Sequence, residues 1–226
     1  MTIDLVYIYP VDGSEKHLTY AWRFLNSYYE NPPGADHNSV IVCNGGSPDD
    51  TFVFFKAMPN FRLFQHDDSG FDIGGYQAVA KQSSADLMLF CGGTTYFRKP
   101  GWLSRVITST IRYGLDSLYG AMANRGEMIA NVYPHIRTTG FWIGRNLFNQ
   151  YPVSVTRTDQ RYEFEHGATG LTTWVRNQNK KVVVVGWTGE YIWPNWGNMP
   201  NSFHHGDQSD LLMGDRLSEP PYYEYQ

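Results

Sequence analysis

The segment that decides the fold is Asp86-Leu-Met-Leu-Phe-Cys-Gly-Gly-Thr-Thr-Tyr-Phe-Arg-Lys-Pro-Gly-Trp102. Its apolar beginning predicts a buried strand, its small residues predict a loop, and Pro100-Gly101-Trp102 predicts the start of a helix. A strand that passes through a short loop into a helix is the repeating unit of parallel α/β sheets.

Similar units precede this segment. The predicted strands are Ile3–Tyr9, Ser39–Cys43, Phe61–Gln65 and Asp86–Phe90, and the predicted helices are Ser14–Tyr29, Asp49–Ala57, Gly74–Gln82 and Trp102–Tyr113. Strands separated by helices indicate a parallel sheet with right-handed crossovers. Such sheets bind ligands beyond the carboxyl ends of their strands.

The second half of the chain is less regular. It contains three further predicted strands, Leu118–Ala123, Ile136–Ile143 and Lys181–Val185, and a predicted helix, Gly170–Asn177. Beyond Gly186 the chain is too aromatic for a typical disordered segment. We therefore expect an ordered loop region folded over a site, with a frayed end from Leu217 to Gln226.

Composition sets the broad class. A chain of 226 residues without evident linkers is most simply one domain. Its net charge of −4 provides no general attraction to nucleic acid. No apolar run reaches the roughly 18 residues of a transmembrane segment, and the N-terminus lacks the pattern of a signal peptide. The default expectation is a soluble cytoplasmic protein.

Two residue types add detail to this class. Cys43 and Cys91 each follow an apolar run, which suggests reduced, buried or pocket-edge thiols rather than a disulfide. Aromatic residues are abundant, with 16 Tyr, 13 Phe and 7 Trp, and Trp187, Trp193 and Trp196 lie among polar residues. Such rings suit sugar binding, because the apolar face of a pyranose packs on them, but each ring fits a core position equally well.

Four blocks, in order, resemble the GT-A fold and in particular glycosyltransferase family 2. They are Ser39–Thr51 with its Asn-Gly-Gly-Ser-Pro-Asp, Asp67–Gly75, the strand ending in Cys91-Gly92-Gly93 with Pro100–Leu103, and Tyr162–Gly167 with the following helix and Lys181–Val185. Together they span roughly residues 3 to 186. The match depends on their order, because each block alone is weak.

The resemblance implies a single α/β domain over residues 1–226, GT-A-like and Rossmann-like, with a mainly parallel central sheet flanked by helices. Residues 1–113 would form the nucleotide-binding half, 114–186 the acceptor and catalytic half, and 187–226 the aromatic-rich C-terminal region. The implied activity is transfer of a sugar, with inversion, from a nucleotide sugar to a glycan or another hydroxyl acceptor.

The same resemblance places the nucleotide sugar at the strand ends. The implied binding residues are Tyr9, Pro10, Asn44, Asp67 and Asp68 for the base and ribose, Asp72 and Gly74 near the diphosphate, and Cys91, Gly92 and Gly93. The alternatives are structural: the acidic pairs fit turn and cap positions, and Asp72 fits a salt bridge.

The family holds Mg²⁺ or Mn²⁺ with an Asp-x-Asp motif, and Cys91-Gly92-Gly93 replaces that motif here. Glycines carry no ligand, and a thiol is a poor ligand for these cations. Three alternatives remain open. His204 and His205 hold the metal ion, cationic residues such as Arg98, Lys99 and Arg137 replace it, or transfer activity is lost. An ordinary surface position is the competing interpretation for the histidine pair.

The catalytic candidates lie in Glu163-Phe-Glu-His166. Inverting transfer needs a carboxylate that accepts the proton of the acceptor hydroxyl. Glu165 matches the catalytic position of the family best, with Glu163 and His166 as alternatives, and a solvated loop or helix cap is the structural interpretation. Just before this cluster, Thr138, Thr139 and Trp142 lie on a strand that resembles the acceptor side.

Two other functions fit the same residues. One is a catalytically inactive GT-A-like module that binds a nucleotide sugar or a glycan. The other is a nucleotidyltransferase, which needs a basic, glycine-rich loop after the first strand. Pro10–Ser14 contains one Gly and no Arg, which disfavours that second alternative.

Overall fold

The computed structural model describes residues 1–125, 132–200 and 208–218. Within these ranges the strands are β1 (Ile3–Pro10), β2 (Asn38–Asn44), β3 (Arg62–His66), β4 (Leu87–Cys91), β5 (Tyr96–Phe97), β6 (Leu118–Gly120), β7 (Ala123–Asn124), β8 (His135–Ile136), β9 (Gly140–Gly144), β10 (Val182–Val185), β11 (Glu190–Ile192) and β12 (Met213–Gly214). The helices are α1 (Glu15–Glu30), α2 (Phe52–Phe55), α3 (Phe71–Gln82), α4 (Trp102–Tyr113), α5 (Arg145–Asn149), α6 (Thr158–His166) and α7 (Leu171–Asn177), with a 3₁₀ turn at Asn195–Asn198. None of these helices is both long enough and apolar enough to cross a membrane.

The main sheet has the strand order β11-β10-β6-β9-β4-β1-β2-β3 in the described residues. Strands β4, β1, β2 and β3 pair in parallel, as do β6 and β10. Strand β9 runs antiparallel between β4 and β6, and β11 runs antiparallel at the edge. The prediction of an α/β fold with a mainly parallel sheet flanked by helices is confirmed.

The sheet separates two apolar layers, as the alternation along β1 shows. Ile3, Leu5 and Tyr7 face one layer, which also contains Phe24 of α1 and Trp102 of α4. Val6 and Ile8 of the same strand face the layer formed with α3, α5, α6 and α7. Because side chains alternate along a strand, a strand with apolar residues on both faces has to be covered on both faces.

Several predicted boundaries differ from the structure. The predicted strand Ile136–Ile143 is wrong as a single element, because β8 and β9 belong to different sheets and residues 137–139 leave the sheet between them. The predicted strand Leu118–Ala123 is likewise divided into β6 and β7. Helix α2 is one turn rather than nine residues, and α3 begins at Phe71, three residues before the predicted start.

The region after Gly186 is more structured than the predicted loop. Strand β11 closes the edge of the main sheet, and β12 pairs with β5. A bridge between Gly186 and Leu211 and the burial of Leu211 and Leu212 hold this region against the sheet. Glu190 of β11 forms ion pairs with Arg105 and Arg112 of α4.

Candidate functional site

A cleft of about 470 Å³ opens at the carboxyl ends of β1, β2 and β4. This is the edge where parallel α/β sheets bind ligands, because the loops after the strands meet there. The residues that line the cleft are Ile8, Pro10, Val11, Asp12, Lys16, His17, Tyr20, Asn44, Gly45, Asp68, Phe71, Asp72, Gly92, Gly93, Thr94, Thr139, Arg161 and Arg216. The predicted positions Pro10, Asn44, Asp68, Asp72, Gly92 and Gly93 are therefore brought together.

One wall of the cleft is a polar cluster at the ends of β2 and β3. The side-chain amide of Asn44 donates a hydrogen bond to Asp68, and its oxygen lies 2.7 Å from Nδ1 of His66. Burial raises the pKa of Asp68, although His66 and the Asn44 hydrogen bond oppose that rise. Gly45 adopts a φ of +87° beside Asp68, a conformation that favours glycine. Hydrogen-bonding groups of this kind can recognise ribose hydroxyls or a base edge.

The floor of the cleft is formed by the loop after β4. Gly92 donates from its amide to the carbonyl of Thr139 at 3.2 Å, and the carbonyl of Gly93 accepts from the Tyr7 hydroxyl at 2.9 Å. Cys91 belongs to the apolar core instead, and burial raises the pKa of its thiol. The side chain of Cys91 therefore does not line the cleft, whereas the two glycines do.

The cleft contains basic side chains that the sequence pattern does not identify. Lys16 and His17 come from the first turn of α1, Arg161 from α6, and Arg216 from the segment after β12. His17 is paired with Asp12 at 2.9 Å, and Arg161 lies over the Phe71 ring. These groups project into the cavity from three separate parts of the chain, so only the tertiary structure shows that they meet.

The cationic residues proposed from the sequence have other partners. Arg98 donates to the carbonyl of Gln208 at 2.6 Å, and Lys99 lies 5.7 Å from the centre of the Trp187 ring. Arg137 contacts Glu165 and Asp215 at 3.6 and 3.9 Å. None of these three cationic residues is among the described residues that line the cleft.

Helix α3 begins at the cleft, and the backbone conformation at its start requires two glycines. Gly70 has a φ of +76°, and a Cβ on Gly74 would overlap the carbonyl of Ser69. Asp72, in the first turn, lines the cleft. Burial raises the pKa of Asp72 to about 6; Arg161 opposes this rise and the charge of Glu165 adds to it.

Glu165 lies near the end of α6, beside residues 137–139. The amide and the hydroxyl of Thr138 donate to its Oε1 at 3.2 and 3.1 Å, and Arg137 lies 3.6 Å from the same oxygen. Burial alone would raise the pKa of Glu165, but Arg137, His135 and the Thr138 hydrogen bonds bring the pKa below its ordinary value. Glu165 is thus an ionised carboxylate whose Oε2 makes no hydrogen bond within the described part of the chain.

Glu165 and the cleft share the same edge of the sheet. Gly140, the first residue of β9, pairs with Cys91, the last residue of β4, so residues 138 and 139 lie beside the glycine loop. Thr139 lines the cleft, and its neighbour Thr138 binds Glu165. The carboxylate is therefore placed at the rim of the cleft, one residue away from its lining.

The other predicted site residues lie elsewhere. Glu163 is exposed and accepts from the amide and the hydroxyl of Thr169 at 2.8 and 2.6 Å, which stabilises the turn after α6. His166 is half-buried, with its ring near His135. Tyr9 is buried against Phe52, and Asp67 is exposed and caps the amide of Ser69. None of these four candidates is among the described residues that line the cleft.

The described residues at the cleft do not form a conventional divalent metal site. The described ranges contain no group of three or more His, Cys, Asp or Glu side chains placed to hold a metal ion. In Cys91-Gly92-Gly93 the first side chain is buried and the next two residues are glycines, which provide no side-chain ligand. His204 and His205 lie outside the described residues.

The comparisons with known proteins bear on this architecture. No protein-family model matches the sequence, and the curated proteins contain no match to it. Several solved structures have a similar fold. S. aureus TarS has a TM-score of 0.53 at 14% identity over 84% of this chain, and mouse xyloside xylosyltransferase 1 has a TM-score of 0.54 at 9% identity over 83%.

A third neighbour is a Bacillus anthracis protein described as a glucose-1-phosphate thymidylyltransferase, with a TM-score of 0.53 at 10% identity over 80% of this chain. The match covers 86% of the xylosyltransferase and 85% of the Bacillus protein. The chain spans only 36% of the TarS chain and 58% of TarS 1–349. At these identities the similarity establishes a GT-A-like fold.

Proposed function

We propose that this protein is a glycosyltransferase that moves a sugar from a nucleotide sugar to a hydroxyl acceptor. The observation that carries the proposal is the position of Glu165, an ionised carboxylate at the rim of a cleft with four basic side chains in a GT-A-like fold. The fold is shared with proteins of more than one activity, so the site chemistry provides the functional argument.

The donor would lie across the cleft. Asn44 and Asp68 offer hydrogen-bonding groups for the nucleoside, and the glycine loop allows close approach of the diphosphate. Lys16, Arg161 and Arg216 would neutralise the diphosphate. The sugar would then point toward residues 138 and 139, where Glu165 is held.

Glu165 would act as the general base. In the transfer step, the acceptor oxygen bonds to the anomeric carbon while the bond from that carbon to the diphosphate oxygen breaks. The proton of the acceptor hydroxyl passes to Glu165, and the nucleoside diphosphate leaves with the electron pair. Arg137 and Thr138 hold Oε1, which leaves Oε2 available to accept the proton.

The basic side chains would perform the task that a divalent cation performs in metal-dependent relatives of this fold. Preorganised cations beside a leaving diphosphate stabilise the charge that develops there. Arg161 and Arg216 are permanently charged, whereas the described carboxylates of the cleft make no metal cluster. The proposal therefore includes turnover without an added metal ion.

The test is an activity assay with a panel of UDP-, GDP- and dTDP-sugars, with added Mn²⁺ or with EDTA. We expect turnover of one donor class that persists in EDTA and is lost in Glu165→Gln. Binding of a nucleotide sugar without turnover, across an acceptor screen, would instead identify an inactive binding module. Release of pyrophosphate from a nucleoside triphosphate and a sugar 1-phosphate would identify a nucleotidyltransferase.

A further inference from the structure

The segment from Gln208 to Ser218 reaches the cleft from the end of the described chain. Strand β12 in this segment pairs with β5, which follows the glycine loop. Arg98 binds the carbonyl of Gln208, and Trp187 donates from its indole nitrogen to the carbonyl of Leu211 at 3.0 Å. The segment is therefore held in place before it reaches Asp215.

Asp215 fastens this segment to the rim. Its side chain is only 3% exposed. One carboxylate oxygen accepts from the Thr139 hydroxyl at 2.7 Å, and the other accepts from the amide of Leu217 at 2.8 Å and the hydroxyl of Ser218 at 3.2 Å. Arg137 lies 3.9 Å from the first oxygen. Together these contacts restrain the backbone before and after residue 216.

The next residue, Arg216, projects the other way. It is exposed and lines the cleft together with Gly92, Gly93 and Thr139. Within the described part of the chain, its guanidinium has no hydrogen-bond or ion-pair partner, unlike the Arg137 and Arg98 side chains. A guanidinium that lines the cleft and has no partner among the described residues is suited to bind two oxygens of a phosphate group.

We propose that Arg216 binds the diphosphate of the donor and that Asp215 is a positioning residue that holds Arg216 in the cleft. The proposal rests on the proposed function, since it assigns the diphosphate of a nucleotide sugar to this site. Asp215 acts through Thr139 and the backbone amide of Leu217, not by touching the ligand.

The sign of one substitution separates positioning from simple electrostatics. Asp215→Asn removes a negative charge near the cleft, and Coulomb's law alone predicts tighter binding of an anion. If Asp215 positions Arg216, the same substitution weakens binding, because the Arg216 side chain is no longer fixed. The two effects have opposite directions, so the measurement decides between them.

The experiment measures dissociation constants of UDP, GDP and dTDP by titration calorimetry, and of the nucleoside that corresponds to the tightest binder. We expect Arg216→Ala to weaken binding of that diphosphate by about 10- to 100-fold, the range for a charge-assisted hydrogen bond. Binding of the nucleoside should change less than threefold. Lys81→Ala is the charge control, since Lys81 is exposed at the other end of α3.

Asp215→Asn should weaken diphosphate binding, and it should have no further effect in the Arg216→Ala background. If Asp215→Asn fails to fold, Thr139→Val takes its place in the comparison with Arg216→Ala. This substitution removes the 2.7 Å hydrogen bond to Asp215 without a charge change. The inference is overturned if Arg216→Ala binds the diphosphate as tightly as wild type does. It is also overturned if Asp215→Asn has the same effect in the wild-type and Arg216→Ala backgrounds. In either case, diphosphate binding by the wild type leaves the proposed function standing. A wild-type protein that binds none of the three diphosphates would overturn the proposed function itself.

Discussion

The substitution Glu165→Gln tests the proposed base most directly. It keeps the shape of the side chain and an oxygen that can accept from Thr138, but it removes the group that takes the proton. General-base catalysis contributes about 10²- to 10⁴-fold, which corresponds to about 3–5 kcal/mol in the activation free energy. We therefore expect kcat to fall by at least about 100-fold in this variant.

The fold should survive this change. Glu165 is 16% exposed and its ion pair with Arg137 is 3.6 Å long, while Arg137 keeps Asp215 as a second partner at 3.9 Å. The expected cost in the free energy of unfolding is about 1 kcal/mol, as for a modest polar contact. Since Glu165 does not line the cleft, the dissociation constant of the nucleoside diphosphate should stay within about twofold of wild type.

The assay is steady-state kinetics with the donor identified by the panel, beside calorimetry and urea unfolding. Glu163→Gln is the matched comparison, because it makes the same change on the same helix at a side chain that binds Thr169 instead. We expect Glu163→Gln to keep kcat within about threefold of wild type. A Glu165→Gln enzyme that is folded and retains a tenth or more of the wild-type kcat would refute the assignment of the base.

Two further predictions concern ionisation. As pH rises through about 6, Asp72 ionises and adds a negative charge to the cleft. Between pH 5 and 7, diphosphate binding should therefore weaken by about 3- to 10-fold more in wild type than in Asp72→Asn. Parallel pH profiles of the two dissociation constants would contradict this. Glu190→Gln should lower the free energy of unfolding by about 3 kcal/mol in urea denaturation at pH 7, because Glu190 is 4% exposed and binds Arg105, Arg112 and Tyr113. The pKa of Glu190 is lowered in the folded state, so its contribution is present above the unfolded pKa and disappears as pH falls through the folded pKa; a stability difference that persists at acidic pH would contradict the assignment.

The parallel half of the fold was predictable from local pattern. The mainly apolar strands β1, β2 and β4 and the periodic helices α1 and α4 bury continuous surface, so their hydrophobic pattern identifies them. Helix α6 was missed because only Phe164 among its residues is buried, so it lacks an apolar stripe. The break at residues 137–139 is not visible in the sequence, because Thr138 and Thr139 are β-branched and favour strands as much as the apolar residues that follow them.

The site was predictable only in part, for a similar reason. Asn44 and Asp68 follow strands, and strand ends in a parallel sheet converge on one edge. Lys16, Arg161 and Arg216 occupy unremarkable positions in the sequence, and their meeting depends on how α1, α6 and the segment after β12 pack. The resemblance implies that Cys91 lies at the ligand, but an all-apolar strand does not indicate which face its last residue takes.

The reversed direction of β9 has a consequence for how new specificity could arise in this protein. Because β9 enters the sheet at the edge where its neighbours leave it, the three residues that precede it, Arg137–Thr139, reach the proposed site from an element that lies outside the block formed by β1, β2, β3 and β4. Under the proposed function, insertions or exchanges in that short stretch would alter the surroundings of the acceptor hydroxyl and leave the proposed nucleotide pocket intact. A change of acceptor would then require changes to one connection rather than a redesign of the whole domain.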